Sequence, residues 1–269
     1  MKLAVVGVGL IGGSFALAAR HAELFSEIVG VDHDAQHRQS ALDLGLCDTV
    51  ASAAPADADA VLLAVPSSVT ATLLAQLQQH RGLVFDVASV KGALLDAATR
   101  LPARFVPCHP IAGSERSGPE AAQAKLFTDH LVITTPTANS AAADVAQVSQ
   151  WWSAVGASVQ AMDPHAHDSL FARTSHLPHL VAFAYMQLIA PEQLAYAAGG
   201  FRDFSRIAAS DPDMWAPILR MNQAALKTEL AGMQQALSEL GEALEAPDDS
   251  ALRALIVRAQ QRRRAFDER

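Results

Sequence analysis

The sequence has few cysteines and no excess of basic charge. Its 269 residues include 2 cysteines. Cys47 and Cys108 are too few for a disulfide framework or a four-thiolate zinc site, and they fit a reducing compartment. The formal net charge of −8 offers no basic field for nucleic acid. The arginine-rich patch at residues 262–264 lies beside Asp267 and Glu268, so we interpret it as a solvated helix end.

Long apolar runs are also missing. None reaches the ~18 residues that a membrane span needs, and the longest serious candidate is Leu180 to Ala190. The segment from Lys2 to Ala19 superficially resembles a signal peptide, but its glycines favour a strand, a turn and a helix instead. We therefore predict a soluble, cytoplasmic protein with neither membrane nor nucleic-acid partners. Its 51% hydrophobic content can bury a large core.

Short apolar runs alternate with helical patterns up to about Met162, which is typical of an α/β, Rossmann-type doubly wound parallel sheet. After Asp163 and Pro164 the pattern is helical to the end. We predict a dinucleotide-binding Rossmann domain over residues 1–163 and an all-helical substrate and dimerisation domain over residues 164–269. The predicted strands are Leu3 to Val8, Glu27 to Asp32, Ala60 to Val65, Leu83 to Ala88, Arg104 to Cys108, His130 to Thr134 and Ser158 to Met162.

Leucines near the C-terminus alternate at the four-three spacing of a heptad seam, and Pro247 closes the predicted helix. Such a stripe needs a partner helix. An intramolecular partner is the usual case, but a C-terminal half this apolar favours a homodimer. The stripe consists of Leu219, Leu226, Leu230, Met233, Leu237, Leu240 and Leu244.

The glycine-rich stretch 7–12 lies between a predicted strand and a predicted helix, where it can hold the pyrophosphate of a dinucleotide. Asp32 ends the next strand about 20 residues beyond Gly12 and can accept hydrogen bonds from the adenosine ribose. A carboxylate there repels a 2′-phosphate, so we predict NAD, while Arg38 leaves NADP open. The predicted cofactor-binding residues are Gly7, Gly9, Leu10, Ile11, Gly12, Asp32, Val65, Pro66 and Ser89.

The stretches 86–92 and 109–118 follow neighbouring predicted strands and carry polar side chains to the same carboxyl edge of the sheet. A histidine with a near-neutral pKa, such as His109, can take a hydroxyl proton as hydride leaves the same carbon. The hydroxyl of Ser89 can bridge the substrate, the nicotinamide ring and the imidazole. For His109 with Pro110 alone, a loop histidine in a local turn is the competing interpretation.

Five islands together closely resemble the prephenate/arogenate dehydrogenase family of tyrosine biosynthesis. Besides the glycine turn, they are residues 86–92, 109–115, 175–179 and 199–208. The resemblance runs from Leu3 to about Trp215. It implies a Rossmann domain followed by a helical dimerisation domain, with the active site in the cleft between them.

On this resemblance, His109 is the catalytic histidine, and Ser89 orients the substrate and the nicotinamide. Arg206 anchors a substrate carboxylate, a role that suits the forked donors of guanidinium. In the implied reaction the ring hydroxyl loses its proton, and the carbon that bears this hydroxyl loses a hydride. The ring carboxylate then leaves as CO₂. The remaining pocket residues, partly contributed across the dimer, are Ser114, Glu115, His179, Gly199 and Asp203.

The substrate of this reaction has two candidates, because prephenate ends in a keto acid and arogenate carries an amine. Glu115 near that side chain would favour the amine, unless Arg116 neutralises it. We favour prephenate and keep arogenate, or use of both, as the alternative.

Two other function classes stay open as remoter alternatives: a β-hydroxyacid or imine-reducing dehydrogenase, and a non-catalytic NAD-binding sensor. Four histidines also raise the question of a metal site. They are His165, His167, His176 and His179. Because Pro178 interrupts their helical spacing and a clustered carboxylate or cysteine ligand is lacking, we predict no metal. His165 and His167 are instead expected to cap or pack at the start of the helical domain.

Overall fold

Six short strands form a parallel sheet in the computed structural model, which describes residues 1–98, 100–114 and 116–267. In chain order the strands are β1 (Lys2–Val6), β2 (Glu27–Val31), β3 (Thr49–Ala51), β4 (Ala60–Leu63), β5 (Leu83–Asp86) and β6 (Phe105–Val106). Their spatial order, β3-β2-β1-β4-β5-β6, is that of a Rossmann doubly wound fold. The order reverses between β1 and β4, so a ligand crevice is expected outside the carboxyl ends of these two strands.

The helices connect the strands and then continue to the end of the described chain. The chain divides into two compact units, Met1–Gln223 and Ala224–Arg269. In chain order the helices are α1 (Leu10–His21), α2 (Ala35–Asp43), α3 (Ser67–Gln76), α4 (Gly92–Ala97), α5 (Ala142–Ala154), α6 (Pro164–Phe171), α7 (Leu177–Met186), α8 (Gly199–Ser205), α9 (Pro212–Met221), α10 (Gln223–Glu245) and α11 (Ser250–Asp267).

Both faces of the parallel sheet are buried, which explains why its strands are continuous apolar runs. In β4, Ala60 and Leu62 pack into one hydrophobic cluster, whereas Val61 and Leu63 pack into another. The first cluster also holds the large aromatic side chains of this unit: Phe15, Phe85, Phe127, Trp151 and Trp152.

A second, three-stranded sheet corrects the prediction of one parallel sheet. It consists of β7 (Cys108–Pro110), β8 (Leu131–Thr134) and β9 (Ser158–Ala161), with β7 antiparallel to β8. Pro107 separates β6 from β7, because proline has no amide hydrogen to continue the strand pairing. The predicted strand from Arg104 to Cys108 is therefore two strands in different sheets, and β3 was not predicted.

The change to helical structure occurs at the predicted position. The side chain of Asp163 accepts hydrogen bonds from the amides of His165 and Ala166, both at 2.9 Å, and Pro164 occupies the first turn of α6. Both features are sequence signals of a helix start. The predicted boundary between residues 163 and 164 stays a prediction, because the compact units divide instead between Gln223 and Ala224.

The predicted leucine seam spans two helices. Leu219 belongs to α9, which ends before Asn222, and the other members belong to α10. Leu226 is buried, whereas the seam residues toward the end of α10 are exposed in the single chain: Leu237, Leu240 and Leu244. Among the helices described, none combines the length and the hydropathy that a membrane span requires.

Candidate active site

The glycine turn follows β1 and begins α1. Gly7 has φ +92°, and a Cβ there would lie 2.3 Å from the carbonyl oxygen of Ala64. A Cβ on Gly12 would lie 2.0 Å from the carbonyl oxygen of Gly7. Gly9, the residue before α1, faces open space, since a Cβ there would meet nothing within 4 Å. The turn thus combines steric need for glycine with an open helix N-terminus, which is the arrangement that binds a pyrophosphate.

Asp32 follows β2 and lies beside this turn. Its carboxylate accepts hydrogen bonds from the amides of Val8, at 3.2 Å, and Asp34, at 3.0 Å. The Arg38 guanidinium donates to the carbonyl oxygens of Asp32, at 2.6 Å, and His33, at 3.1 Å. Because Arg38 donates to main-chain carbonyls and the carboxylate is held at the turn, the site fits an unphosphorylated ribose.

The other predicted cofactor residues surround the same turn. Leu10 is buried and Ile11 is half-buried in the first turn of α1. Val65 lies against the turn, and a Cβ added to Gly7 would be 3.1 Å from Cγ1 of Val65. Pro66 is exposed and immediately precedes α3.

A buried ion pair joins the loop that carries Ser89 to the strand that carries His109. Lys91 Nζ lies 2.5 Å from Asp86 Oδ2 and donates to the carbonyl oxygen of Cys108 at 2.6 Å. The Asp86 carboxylate also accepts from the amides of Cys108 and Ala88, both at 3.0 Å. The loop after β5 and the start of β7 are therefore held together, and the predicted roles of Ser89 and His109 stay predictions.

His109 is half-buried and is bonded to a second histidine. Its Nδ1 lies 2.8 Å from Nε2 of His167, and His167 Nδ1 lies 2.9 Å from Oδ1 of Asp168. The Asp168 carboxylate accepts from the amides of Lys91, at 2.7 Å, and Ala93, at 3.0 Å. These contacts join α6 to the segment that begins α4. They require the two helices to lie close together.

Gly92 makes this approach possible. A Cβ on Gly92 would lie 2.6 Å from Nδ1 of His165 and 3.2 Å from Oδ2 of Asp168. The exposed His165 side chain could turn away from such a Cβ, but the Asp168 carboxylate would also have to shift by a few tenths of an ångström. Gly92, the last residue of the stretch 86–92, therefore allows α4 and α6 to pack closely, and this packing helps to position His167.

The cluster keeps its imidazoles uncharged. Desolvation, helped by the charges of His167, Lys91 and His176, holds the pKa of His109 well below its usual value. Burial also lowers the pKa of His167, although the hydrogen bond to Asp168 acts in the opposite direction. Burial alone would raise the pKa of Asp168, but hydrogen bonds from His167 and the two amides hold it below its usual value.

A second group of side chains lies on α7 and α9. The rings of His179 and Trp215 stack with centroids 3.5 Å apart, and Trp215 packs with Val90, the neighbour of Ser89. Burial lowers the pKa of His179, and the charge of Arg206 lowers it further. Arg206 is therefore near enough to His179 to act on its charge, and the predicted roles of both residues stay predictions.

Asn222 links this second group to the first. Its Nδ2 donates to the carbonyl oxygen of Asp168 at 2.8 Å and to Nδ1 of His176 at 3.0 Å. Burial lowers the pKa of His176 to about 4. The π-helical turn Ala172–His176 precedes Pro178 and lets the chain pass into α7, so Pro178 ends no helix here.

The remaining predicted pocket residues are exposed in the single chain. Ser114 lies on the surface, and its Oγ accepts a hydrogen bond from the amide of Arg116 at 3.2 Å. Gly199, Asp203 and Arg206 lie on α8 and the turn after it, and they are also exposed. The predicted role of Glu115 falls outside the described residues. The functional roles of all these residues stay predictions.

Sequence reasoning missed His167 and Asp168 as site residues. His167 neither caps nor merely packs at the start of the helical region, since it binds His109 directly. The signal was the presence of His167 and Asp168 just after the capped helix start at Asp163, but their partner lies 58 residues away in the sequence. Among the described residues, no group of three or more histidine, cysteine or acidic side chains is arranged to hold a metal.

Two family models match consecutive parts of the chain. The nucleotide-binding domain of prephenate dehydrogenase matches residues 15–161, and its dimerization domain matches residues 163–257. The chain belongs to the prephenate dehydrogenase family. A cyclohexadienyl dehydrogenase from Zymomonas mobilis is 33% identical over 280 residues, which cover 98% of this chain and 95% of that protein.

Solved structures of the prephenate dehydrogenase family share the fold over the whole chain. The Aquifex aeolicus prephenate dehydrogenase, in complex with hydroxyphenyl propionate and NAD+, has a TM-score of 0.93 and 33% identity. The comparison covers 99% of this chain and 98% of that chain. The Synechocystis arogenate dehydrogenase has a TM-score of 0.83 and 28% identity, covering 100% and 99%.

Membership in the prephenate dehydrogenase family confirms several predictions. The Rossmann fold with a helical C-terminal region, the oxidoreductase class and NAD as the cofactor are confirmed. The family is neither that of the β-hydroxyacid nor that of the imine-reducing dehydrogenases. It leaves the choice between prephenate and arogenate open, because both names occur among the similar proteins.

Proposed function

We propose that the chain converts prephenate to 4-hydroxyphenylpyruvate by NAD-dependent oxidative decarboxylation, as a step of tyrosine biosynthesis. One observation carries this proposal: the uncharged, half-buried imidazole of His109 is held at Nδ1 by His167. The strand of His109 is tied through Lys91 and Asp86 to the loop of Ser89, which follows β5. Base and hydroxyl thus belong to segments that follow the carboxyl ends of neighbouring strands.

Bound NAD supplies the hydride acceptor for this reaction. His109 takes the ring hydroxyl proton, and its lowered pKa keeps the imidazole uncharged at neutral pH, so that one ring nitrogen has a free lone pair. Ser89 orients the hydroxyl. Once the hydride has left the same carbon, the ring carboxylate departs as CO₂ and aromatisation drives this step. The protein contributes mainly by alignment, which can supply ~7–11 kcal/mol in well-oriented systems.

Arg206 supplies the positive charge for the substrate side chain, next to His179 and its stacking partner Trp215. Prephenate carries a carboxylate there, and guanidinium matches a carboxylate with two parallel hydrogen bonds. The Aquifex relative is in complex with hydroxyphenyl propionate, whose name describes a phenol joined to a carboxylate side chain. This chemistry supports the assignment of Arg206 as the carboxylate anchor.

Arogenate is the second candidate substrate. The similar proteins include a cyclohexadienyl dehydrogenase from Zymomonas mobilis and an arogenate dehydrogenase from Synechocystis. Arogenate presents the same ring hydroxyl to His109 and differs in the side-chain amine. Discrimination therefore depends on the side-chain end of the pocket, where Glu115 is predicted to lie.

The test is the initial rate of NADH formation by the purified protein, with prephenate and arogenate offered separately and with NAD or NADP. Turnover with prephenate and NAD supports the proposal. Faster turnover with arogenate would favour arogenate as the substrate. No NADH formation with either substrate would refute the proposal and favour a non-catalytic sensor. Faster turnover with NADP than with NAD would contradict the inference, drawn from Asp32 and Arg38, that the site binds an unphosphorylated ribose.

Two variants assign the roles within this assay. His109→Asn should lower kcat about 10²- to 10⁴-fold, because the hydroxyl loses its base, while NAD affinity stays unchanged. Arg206→Gln should mainly raise KM for the substrate, since it removes binding rather than proton transfer. An unchanged kcat for the first variant, or a loss of NAD affinity alone for the second, would contradict the assignments.

We also infer a homodimer, and a cytoplasmic location stays a prediction. The exposed leucines of α10 and the match to a dimerization domain support the dimer. Apolar side chains on one helix are normally covered by a partner. Light scattering after size exclusion gives the mass directly, and a monomer would contradict the inference.

A further inference from the structure

The bonds behind His109 have a fixed direction. Asp168 accepts two backbone amides and one imidazole, and an ionised carboxylate can only accept hydrogen bonds. His167 Nδ1 is therefore the donor to Asp168. In an uncharged His167 the other nitrogen, Nε2, then carries the lone pair, so it accepts a hydrogen bond from Nδ1 of His109.

This direction determines the proton position on His109. With Nδ1 protonated and bonded to His167, the lone pair of an uncharged His109 lies on Nε2. Phe171 packs against both rings, with centroids 4.9 Å from His109 and 4.5 Å from His167, so its apolar ring shields the contact from water. Without His167, both tautomers of His109 would be accessible.

We propose that His167 and Asp168 are positioning residues that act through His109 in two ways. They hold His109 as the Nδ1–H tautomer, with Nε2 ready to accept the substrate proton, and they take over the positive charge that this proton brings. The second part rests on the proposed function; the first concerns the free protein alone.

The proton transfer balances without any further reactant. The substrate O–H bond breaks and its proton joins His109 Nε2, while the Nδ1 proton of His109 moves to His167 Nε2. His109 ends as the uncharged Nε2–H tautomer, and His167 ends protonated on both nitrogens beside the Asp168 carboxylate. The two electrons of the substrate C–H bond leave with the hydride to NAD, and the extra proton returns to water between turnovers.

The charges around the two rings explain why the proton should move on to His167. The charges of His167, Lys91 and His176 all lower the pKa of His109, whose bonded partner, His167, is an uncharged ring. His167 also faces Lys91, but it is bonded to Asp168 and lies near Asp86. Two carboxylates, Asp168 and Asp86, therefore favour a proton on His167 against the single opposing charge of Lys91, whereas the charges that act on His109 all oppose a proton there.

The first experiment measures the tautomer of His109 in the free protein by two-bond ¹H–¹⁵N NMR with ¹⁵N-labelled histidine. The spectrum of His109→Asn identifies the His109 signals among those of 10 histidines. We expect the Nδ1–H tautomer in the wild type. His167→Gln should keep it, because the side-chain carbonyl can still accept from Nδ1, whereas His167→Leu should give a mixture. The Nε2–H tautomer in the wild type would overturn the proposal.

The second experiment measures kcat/KM against pH for Asp168→Asn and His167→Gln. Removing the anion makes the protonated state of the pair less stable, so the acid limb of Asp168→Asn should move to lower pH. The plateau should fall about 10- to 100-fold, the loss found when a carboxylate that orients a metal-bound histidine is removed. His167→Gln should show a similar plateau loss, because it keeps the tautomer but cannot take the charge.

The control is His165→Gln, a histidine of the same helix whose Nε2 lies 3.9 Å from Asp96. It should leave the tautomer and the pH profile unchanged. A lower plateau with an unmoved acid limb in Asp168→Asn would show a purely structural role and overturn the charge transfer. Wild-type protein without turnover would refute the proposed function, and the NMR spectra would then decide the tautomer part alone.

Discussion

Replacing Lys91 with methionine tests the ion pair on which the relative positions of Ser89 and His109 depend. Lys91 and Asp86 are both 0% exposed, and Nζ contacts the Asp86 carboxylate and the Cys108 carbonyl. Methionine has a similar length and no charge. The variant therefore fills most of the same space but leaves Asp86 as an unpaired buried carboxylate.

The expected loss of stability is large. Removing one partner of a buried ion pair typically costs about 3–5 kcal/mol. A change of 1 kcal/mol shifts Tm by about 2–4 °C in a domain of 150–250 residues, so Tm should fall by about 6–20 °C. Adding Asp86→Leu should not restore it, because the amides of Ala88 and Cys108 would then lose their acceptor. Each such orphaned amide costs about 1–3 kcal/mol.

Differential scanning calorimetry of the wild type and the variants measures this effect. Lys125→Met is the matched control, since Lys125 is exposed, and its Tm should stay within about 2 °C of the wild type because surface substitutions are usually neutral. The reasoning would be refuted if Lys91→Met melted together with this control. It would also be refuted if the double variant with Asp86→Leu regained the wild-type Tm.

Gly12→Ala should destabilise the fold, because its Cβ would lie 2.0 Å from the Gly7 carbonyl oxygen, whereas Gly9→Ala should fold normally and bind NAD more weakly. Calorimetry and titration with NAD separate the two outcomes, and equal NAD affinity in Gly9→Ala would contradict the placement of the pyrophosphate. Burial holds the pKa of His176 at about 4, below the value of 6.5 for an unfolded histidine. As the pH falls from 6.5 toward 4, the unfolded state therefore binds a proton at His176 that the folded state does not, and the free energy of unfolding decreases. Between pH 7 and pH 5 this decrease is about 2 kcal/mol. In urea unfolding measurements, His176→Gln should lack this part of the pH dependence. An equal change of unfolding free energy with pH in the wild type and the variant would contradict the prediction.

The cofactor half of the site follows from short-range patterns. The glycines at 7, 9 and 12 and the carboxylate of Asp32 are spaced as a strand, a turn and a helix require, and the structure has them there. The helix start at Asp163 was equally local, because a capping side chain acts within three residues. Such features depend on few bonds and on the sterics of neighbouring residues.

Sheet membership was harder to predict. The strand around residues 104–108 is one apolar run in the sequence, yet Pro107 divides it between two sheets. A parallel and an antiparallel partner require the same kind of apolar residues, so the pattern alone could not assign β7 to β8. The consequence bears on the proposed site, because β7 carries His109.

The sequence by itself determined the glycine turn and the alternation of strands and helices, since these depend on local sterics and on the apolar pattern, and it singled out His109 as the candidate base. Tertiary structure decided which groups meet that base. The contact from His109 to His167 and the burial of Lys91 with Asp86 join segments that only folding brings together. Protonation states follow from such contacts, because desolvation and charge pairing sum over all neighbours in space.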